Sequence, residues 1–235
     1  VALARLGHKV AFLGKVGSKY NSPRVIQDLK KEKVDTSLIV RSKTGRTGYS
    51  IVLDSKKHDR TILAFKGSNN DLGFNEIKLK KLKTKWFYFS TMMGQSFRTL
   101  EKLADYASKN KIKIAFNISS YLAKKGKNYL KNILKKTSIL VLNKEEAGLL
   151  AGKGKINALL KKLQKLGPKI VAITDGKNGV YAIQDNAIYY GNPHNVKIVE
   201  TTGAGDAFAS SFLSGIIRKN DIKFAIDLGM TNAES

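Results

Sequence analysis

The sequence predicts an α/β fold, a mainly parallel sheet with helices on both faces. Strand-like and helix-like hydrophobic periods alternate over most of the chain. The repeated strand–helix units are long enough to cross over and return parallel. The size and balance of the chain, 235 residues with 42% hydrophobic and 26% charged, suit one substantial domain with its own core. In such sheets ligands bind beyond the carboxyl ends of the strands, so the loops after strands are where chemistry is expected.

Along the chain, residues 1–7 read as a short helical fragment, with neither the basic start of a signal peptide nor an initiating Met. Residues 48–53 and 60–65, around the polar turn 54–59, read as a β-hairpin. A two-stranded ribbon is marginal alone, so it is expected either to extend the sheet or to form a lid. Residues 86–89 are a short apolar run. A helix is predicted over about 96–108, with Phe97, Leu100, Leu103, Ala104 and Ala107 on one face. Then follow strand 112–116, helix 121–134, strand 139–142, helices 144–150 and 156–166, and strand 170–174. A second hairpin pairs 180–183 with 187–190 around Asp185-Asn186. Last comes a strand that ends near Glu200, a Gly-Ala-Gly turn, and a helix carrying Phe208, Phe212, Leu213, Ile216 and Ile217. With no internal repeat, low-complexity linker or boundary, residues 1–235 read as a single domain.

No stretch approaches the roughly 18 uninterrupted apolar residues of a membrane helix, and a membrane partner is not expected. The absence of cysteine excludes a disulfide framework and cysteine zinc sites, and it fits the cytoplasm. The three histidines are scattered and suggest no metal cluster. A net charge of +25 would attract nucleic acid or anionic metabolites. Only seven of the 43 basic residues are Arg, however, and base readout favours Arg over solvated Lys. The charge therefore reads as a solvated lysine surface, and no specific nucleic acid is expected, although non-specific binding at low salt stays open.

Chemistry concentrates in three places. In Thr201-Thr202-Gly203-Ala204-Gly205-Asp206 a strand meets a glycine turn and then a helix. The first amides of that helix can hold an anion, and glycine lets a phosphate approach without meeting a Cβ. Asp206, in the first turn, can take the proton of an attacking hydroxyl. The same residues also suit a plain helix cap and tight strand–helix packing. Asn143-x-x-Glu146 follows a strand; it suits a capping box, or a Glu146 that reaches Mg²⁺ through water. Thr174-x-Gly176-x-x-Gly179 is a hairpin turn that could also contact a nucleotide. There is no Gly-x-x-x-x-Gly-Lys-Ser/Thr loop, no Gly-x-Gly-x-x-Gly opening a βαβ unit, and no Gly-x-Ser-x-Gly elbow.

In order and spacing these three motifs resemble the ribokinase-like (PfkB) family of carbohydrate and nucleoside kinases. The likeness extends to Leu13-Gly14-Lys15-Val16-Gly17, Thr47-Gly48 and Gly67-Ser68-Asn69-Asn70. It implies a three-layer ribokinase-like fold with a small β lid over about 45–70. It also implies ATP-dependent phosphorylation of a sugar hydroxymethyl group, with a nucleoside acceptor or a non-catalytic binding protein of the same fold as alternatives. Asp206 would be the general base, and the amides of Gly203, Ala204, Gly205 and Asp206 the anion hole. Asn143, Thr174, Gly176, Gly179 and Asn232 would hold ATP, Glu146 would serve Mg²⁺ through water, and Asn69 and Asn70 would stand near the substrate. Glu200 and Thr202 become candidates for a monovalent cation such as K⁺, with Glu200 where the family usually has Asp. Family lids pair subunits in some members, which admits a homodimer through the lid. The family's opening strand and final elements would lie outside Val1–Ser235, so the chain is expected to be cut at both ends. Residues 19–22 replace an acidic turn, residues 90–94 lack the acidic substrate contact of several sugar kinases, and Phe116-Asn117-Ile118-Ser119 is similar to adenosine kinases.

Overall fold

The computed structural model describes residues 1–18, 21–54, 60–193 and 203–234. In chain order the elements are α1 (Ala2–Arg5), β1 (Gly14–Val16), α2 (Asn21–Lys31), β2 (Ile39–Arg41), β3 (Tyr49–Asp54), β4 (Arg60–Phe65), β5 (Trp86–Phe89), α3 (Gly94–Lys109), β6 (Lys113–Asn117), α4 (Ser120–Ala123), α5 (Gly126–Leu134), β7 (Ile139–Asn143), α6 (Lys144–Ala151), α7 (Ile156–Gln164), β8 (Ile170–Thr174), β9 (Val180–Gln184), β10 (Ala187–Gly191), α8 (Ala204–Lys219) and α9 (Ile222–Ala233), with short 3₁₀ turns between.

The central sheet has six strands in the order β10-β9-β8-β7-β6-β5. β5 to β8 run parallel, and β9 and β10 turn back antiparallel. Strand alternation sorts the core into two layers. Ile114, Phe116, Leu140, Leu142, Val171 and Ile173 face α3 to α7, whereas Ala115, Ile139, Val141, Ile170 and Ala172 face α8 and α9. Helices therefore cover both faces, as expected from the sequence. The second hairpin forms as read, with Asp185 and Asn186 in the left-handed region that a two-residue turn requires. The strand expected to end near Glu200 lies outside the described residues.

The helix expected over 121–134 is a correction. The chain breaks it into α4 and α5, because Gly126 takes φ +81° and the lysines around it, unlike Leu122 and Leu130, bury nothing. α7 likewise stops at Gln164 rather than 166, ahead of Gly167 at φ +134°, where a Cβ would stand 2.5 Å from the Leu134 carbonyl oxygen.

The first hairpin does not join the central sheet. β3 and β4 pair only with each other. The ribbon is tied down at its base: the Gly17 amide donates to Thr47 Oγ1 (2.9 Å), the Gly48 amide to Asn69 Oδ1 (3.2 Å), and the Ser68 amide to the Arg46 carbonyl (2.9 Å). Beyond the base Tyr49, Ile51, Val52, Leu53, Ile62, Leu63 and Phe65 are all exposed, so both faces of the ribbon carry uncovered apolar side chains.

α8 and α9 pack through glycines. A Cβ on Gly215 would lie 2.6 Å from Ala225 Cα, which is backbone and cannot turn aside. Gly215→Val is therefore expected to cost about 1–3 kcal/mol through overpacking, read as a lower denaturant midpoint with an unchanged slope. A midpoint equal to the parent's would contradict this packing.

Candidate functional site

The carboxyl ends of adjacent parallel strands collect the predicted residues. Asn117 ends β6, Asn143 ends β7 and Thr174 ends β8, and the last two are register partners. Asn143 caps α6: its Oδ1 accepts the Glu146 amide (2.8 Å), while Glu146 Oε2 accepts the Asn143 amide (2.9 Å). The capping box read from the sequence is thus present. Glu146 is only 8% exposed. Burial pushes its carboxyl above the usual range, against the opposing pull of the Asn143 and Ser120 amides.

Beyond Thr174 the chain makes a tight turn. The Asp175 amide donates to the Gly179 carbonyl (2.9 Å). Gly179 is required by packing, since φ is +83° and a Cβ would stand 2.2 Å from the Gly191 oxygen. Gly176, at φ +52°, faces open space. Lys144 bonds Asp175 Oδ2 (2.7 Å) across the two loops. Beside them runs an open groove of about 990 Å³, lined by Lys144, Asp175, Lys177, Asn178, Tyr181 and Tyr190.

At the other side of the carboxyl edge α8 begins. Gly203 is its N-cap, in the left-handed region at φ +89°, which favours glycine. The first amide to bond back is that of Ala207, to the Gly203 carbonyl (2.8 Å). The amides of Ala204, Gly205 and Asp206 precede it and have no acceptor within the helix. Gly203, Gly205 and Asp206 are exposed, and among the described residues a Cβ at 203 or 205 would meet no atom within 4 Å. The turn is open, with the Asp206 carboxylate beside it in the positive field of the helix start.

Asn117 and Asp206, distant in sequence, are brought together: Asn117 Nδ2 donates to Asp206 Oδ1 at 2.9 Å. Tyr88 of β5 completes the group. Burial pushes its phenol well above the ordinary tyrosine range, the Asp206 charge adds to the rise, and the Asn117 amide opposes it. The sequence reading overlooked Tyr88. Its signal was strand parity, since Trp86 and Tyr88 share the α8 face whereas Phe87 and Phe89 take the other.

Other candidates are placed apart. Asn69 and Asn70 lie in the turn Gly67–Asn70 at the base of the hairpin, where the Asn69 oxygens are engaged by the Gly48 amide and, through the carbonyl, by Ser96 Oγ (2.7 Å). Asn232 is near the end of α9 and donates to the Leu228 carbonyl of its own helix (3.0 Å). Glu200 and Thr202 lie outside the described residues. Among the described residues no three His, Cys, Asp or Glu side chains gather as a metal cage, and no helix is long and apolar enough to cross a membrane.

The model of the pfkB family carbohydrate kinases matches residues 1–234. An uncharacterized sugar kinase of Archaeoglobus fulgidus is 29% identical over 97% of this chain and 91% of its own length. A 5-dehydro-2-deoxygluconokinase of Clostridium perfringens is 30% identical over 99% of this chain and 74% of its own. The crystal structure of Anopheles gambiae adenosine kinase superposes with a TM-score of 0.86, covering 99% of this chain and 75% of that one at 23% identity, a likeness of fold.

Proposed function

The chain belongs to the pfkB family of carbohydrate kinases, and from that premise we propose that it transfers the γ-phosphoryl group of ATP to the hydroxymethyl group of a sugar. The observation that carries this reading is the turn at 203–206, where amides with no acceptor within the helix and a carboxylate share one exposed corner. Asp206 takes the proton of the acceptor hydroxyl as its oxygen attacks the γ-phosphorus. The bond to the β–γ bridging oxygen breaks, ADP leaves, and the amides of Ala204, Gly205 and Asp206 hold the charge on the phosphoryl oxygens.

Asn143, Thr174, Gly176 and Gly179 hold the nucleotide, supported by their convergence at the ends of β7 and β8; the Asn143 side chain spends its oxygen on the cap and has its NH₂ to offer. Asn232 is assigned to the adenine side on family resemblance. Glu146 serves Mg²⁺. Its donor set fits an ion that keeps its waters, since the buried carboxylate already accepts a backbone amide and no direct cage surrounds it among the described residues. Bound with the nucleotide, Mg²⁺ supplies charge neutralisation to the phosphates. A K⁺ site at Glu200 and Thr202 rests on resemblance alone.

The β3–β4 ribbon acts as the lid, with Asn69 and Asn70 at its base near the acceptor. Its uncovered apolar faces support closure over substrate and pairing with a second copy of the chain. The alternative acceptor, a nucleoside ribose, is favoured by Asn117 after β6, in the segment similar to adenosine kinases.

The test is ATP consumption by the purified protein against 5-dehydro-2-deoxygluconate, ribose, fructose and adenosine. The expected result is acceptor-dependent ADP and a product heavier by one phosphoryl group, with a sugar turned over fastest. Faster turnover of adenosine would move the assignment to the nucleoside. ATP binding with no acceptor-dependent ADP anywhere in the panel would contradict catalysis and favour a non-catalytic binding protein.

A further inference from the structure

We propose that Asn117 is a positioning residue for Asp206, holding one carboxylate oxygen so that the other faces the acceptor; this rests on the reading of Asp206 as the base. Trp86, Tyr88 and Ala115 pack on the face of the sheet covered by α8. Asn117 lies two residues beyond Ala115, so its side chain leaves the same face at the carboxyl end of β6. That brings it to the first turn of α8, 89 residues later in the chain, where its Nδ2 donates to Asp206 Oδ1 at 2.9 Å.

Asp206 is exposed on a helix start whose neighbouring glycines offer no side chain to lean on. An untethered carboxylate there would exchange rotamers. Proton abstraction needs one oxygen at about 3 Å from the acceptor hydroxyl, and misplacement by about 1 Å costs on the order of a hundredfold. A tether on Oδ1 fixes the plane of the carboxylate and directs Oδ2. The neighbouring Tyr88 phenol is pushed up by burial and by the Asp206 charge, so it stays neutral and does not compete as a second base. Asn117 is neutral as well, so it orients Asp206 without a counter-charge that would hold the carboxylate away from its substrate.

The test compares Asn117→Leu, which keeps the size and removes the donor without adding a charge, with Asn117→Ala and Asp206→Asn. Single-turnover phosphoryl transfer is measured to the fastest acceptor of the panel (5-dehydro-2-deoxygluconate, ribose, fructose or adenosine), alongside ATP dissociation constants and melting temperatures. Both Asn117 variants are expected to slow transfer by about ten- to a hundredfold, with ATP affinity and melting within error of the parent. Transfer within about twofold of the parent in both, while Asp206→Asn is inactive, would overturn the inference and leave the base in place. Losses of rate, ATP affinity and melting temperature together would show a structural residue and overturn it too. An active Asp206→Asn would instead remove the reading beneath it.

Discussion

Asp206→Asn is expected to lower the rate of phosphoryl transfer by about 10²–10⁴-fold while ATP still binds, because the change removes the proton acceptor and leaves the fold alone. Asp206 is exposed at the first turn of α8, and the side chain bonded to it is Asn117, with no buried partner to be stranded among the described residues. The amide keeps the size, and its oxygen can still accept the Asn117 Nδ2 proton. What it cannot do is accept a proton from an alcohol. Loss of favourable charge at a helix start costs only about 0.3–1 kcal/mol, too little to account for the expected fall. Rapid-quench measurement of product, with ATP affinity measured in parallel, checks this. A variant with near-parental transfer would remove Asp206 from the chemistry.

Gly205→Ala is expected to give the second largest effect, and its direction separates function from folding. A Cβ at 205 would meet no atom of the described residues within 4 Å, and no positive φ demands glycine there. Alanine is the better helix former by up to about 1 kcal/mol, so the variant should be as stable as the parent or slightly more so. If the amide of Gly205 faces a phosphoryl group, the methyl intrudes on that approach. Transfer is then expected to fall by about 10²-fold, the scale of losing one oxyanion donor. Unchanged activity with raised stability would mean that the glycine leaves room for nothing. Gly179 is the internal contrast: its Cβ would strike the Gly191 oxygen, so substitution there must disturb the fold first.

The parallel strands and their helices were legible because their apolar periods are long and uninterrupted; β8 begins and ends where the pattern of Ile170–Thr174 places it. Asn143 and Glu146 were legible as a pair because a capping box is a local device, complete within four residues. The break between α4 and α5 was not. Leu122, Leu130, Ile133 and Leu134 keep a helical spacing across it, and only the backbone of Gly126 shows that the helix is interrupted. The Tyr88–Asn117–Asp206 group escaped for a different reason. Its members come from two strands and a helix, and a side-chain amide after a strand is equally at home in an ordinary turn. Sequence spacing carries contacts within an element, whereas the bond from Asn117 to Asp206 exists only because β6 and α8 share one end of the sheet. The hairpin at 49–65 was recognised as such, but whether it extends the sheet was decided by pairing that no local pattern encodes.

The arrangement of the phosphoryl group is best tested by a crystal structure of the protein with ADP, aluminium fluoride, Mg²⁺ and the fastest acceptor of the panel. The predicted result is the planar fluoride group seated on the amides of Ala204, Gly205 and Asp206, with the acceptor hydroxyl on the Asp206 oxygen that Asn117 leaves free. A fluoride group bound elsewhere, with those amides turned to water, would contradict it.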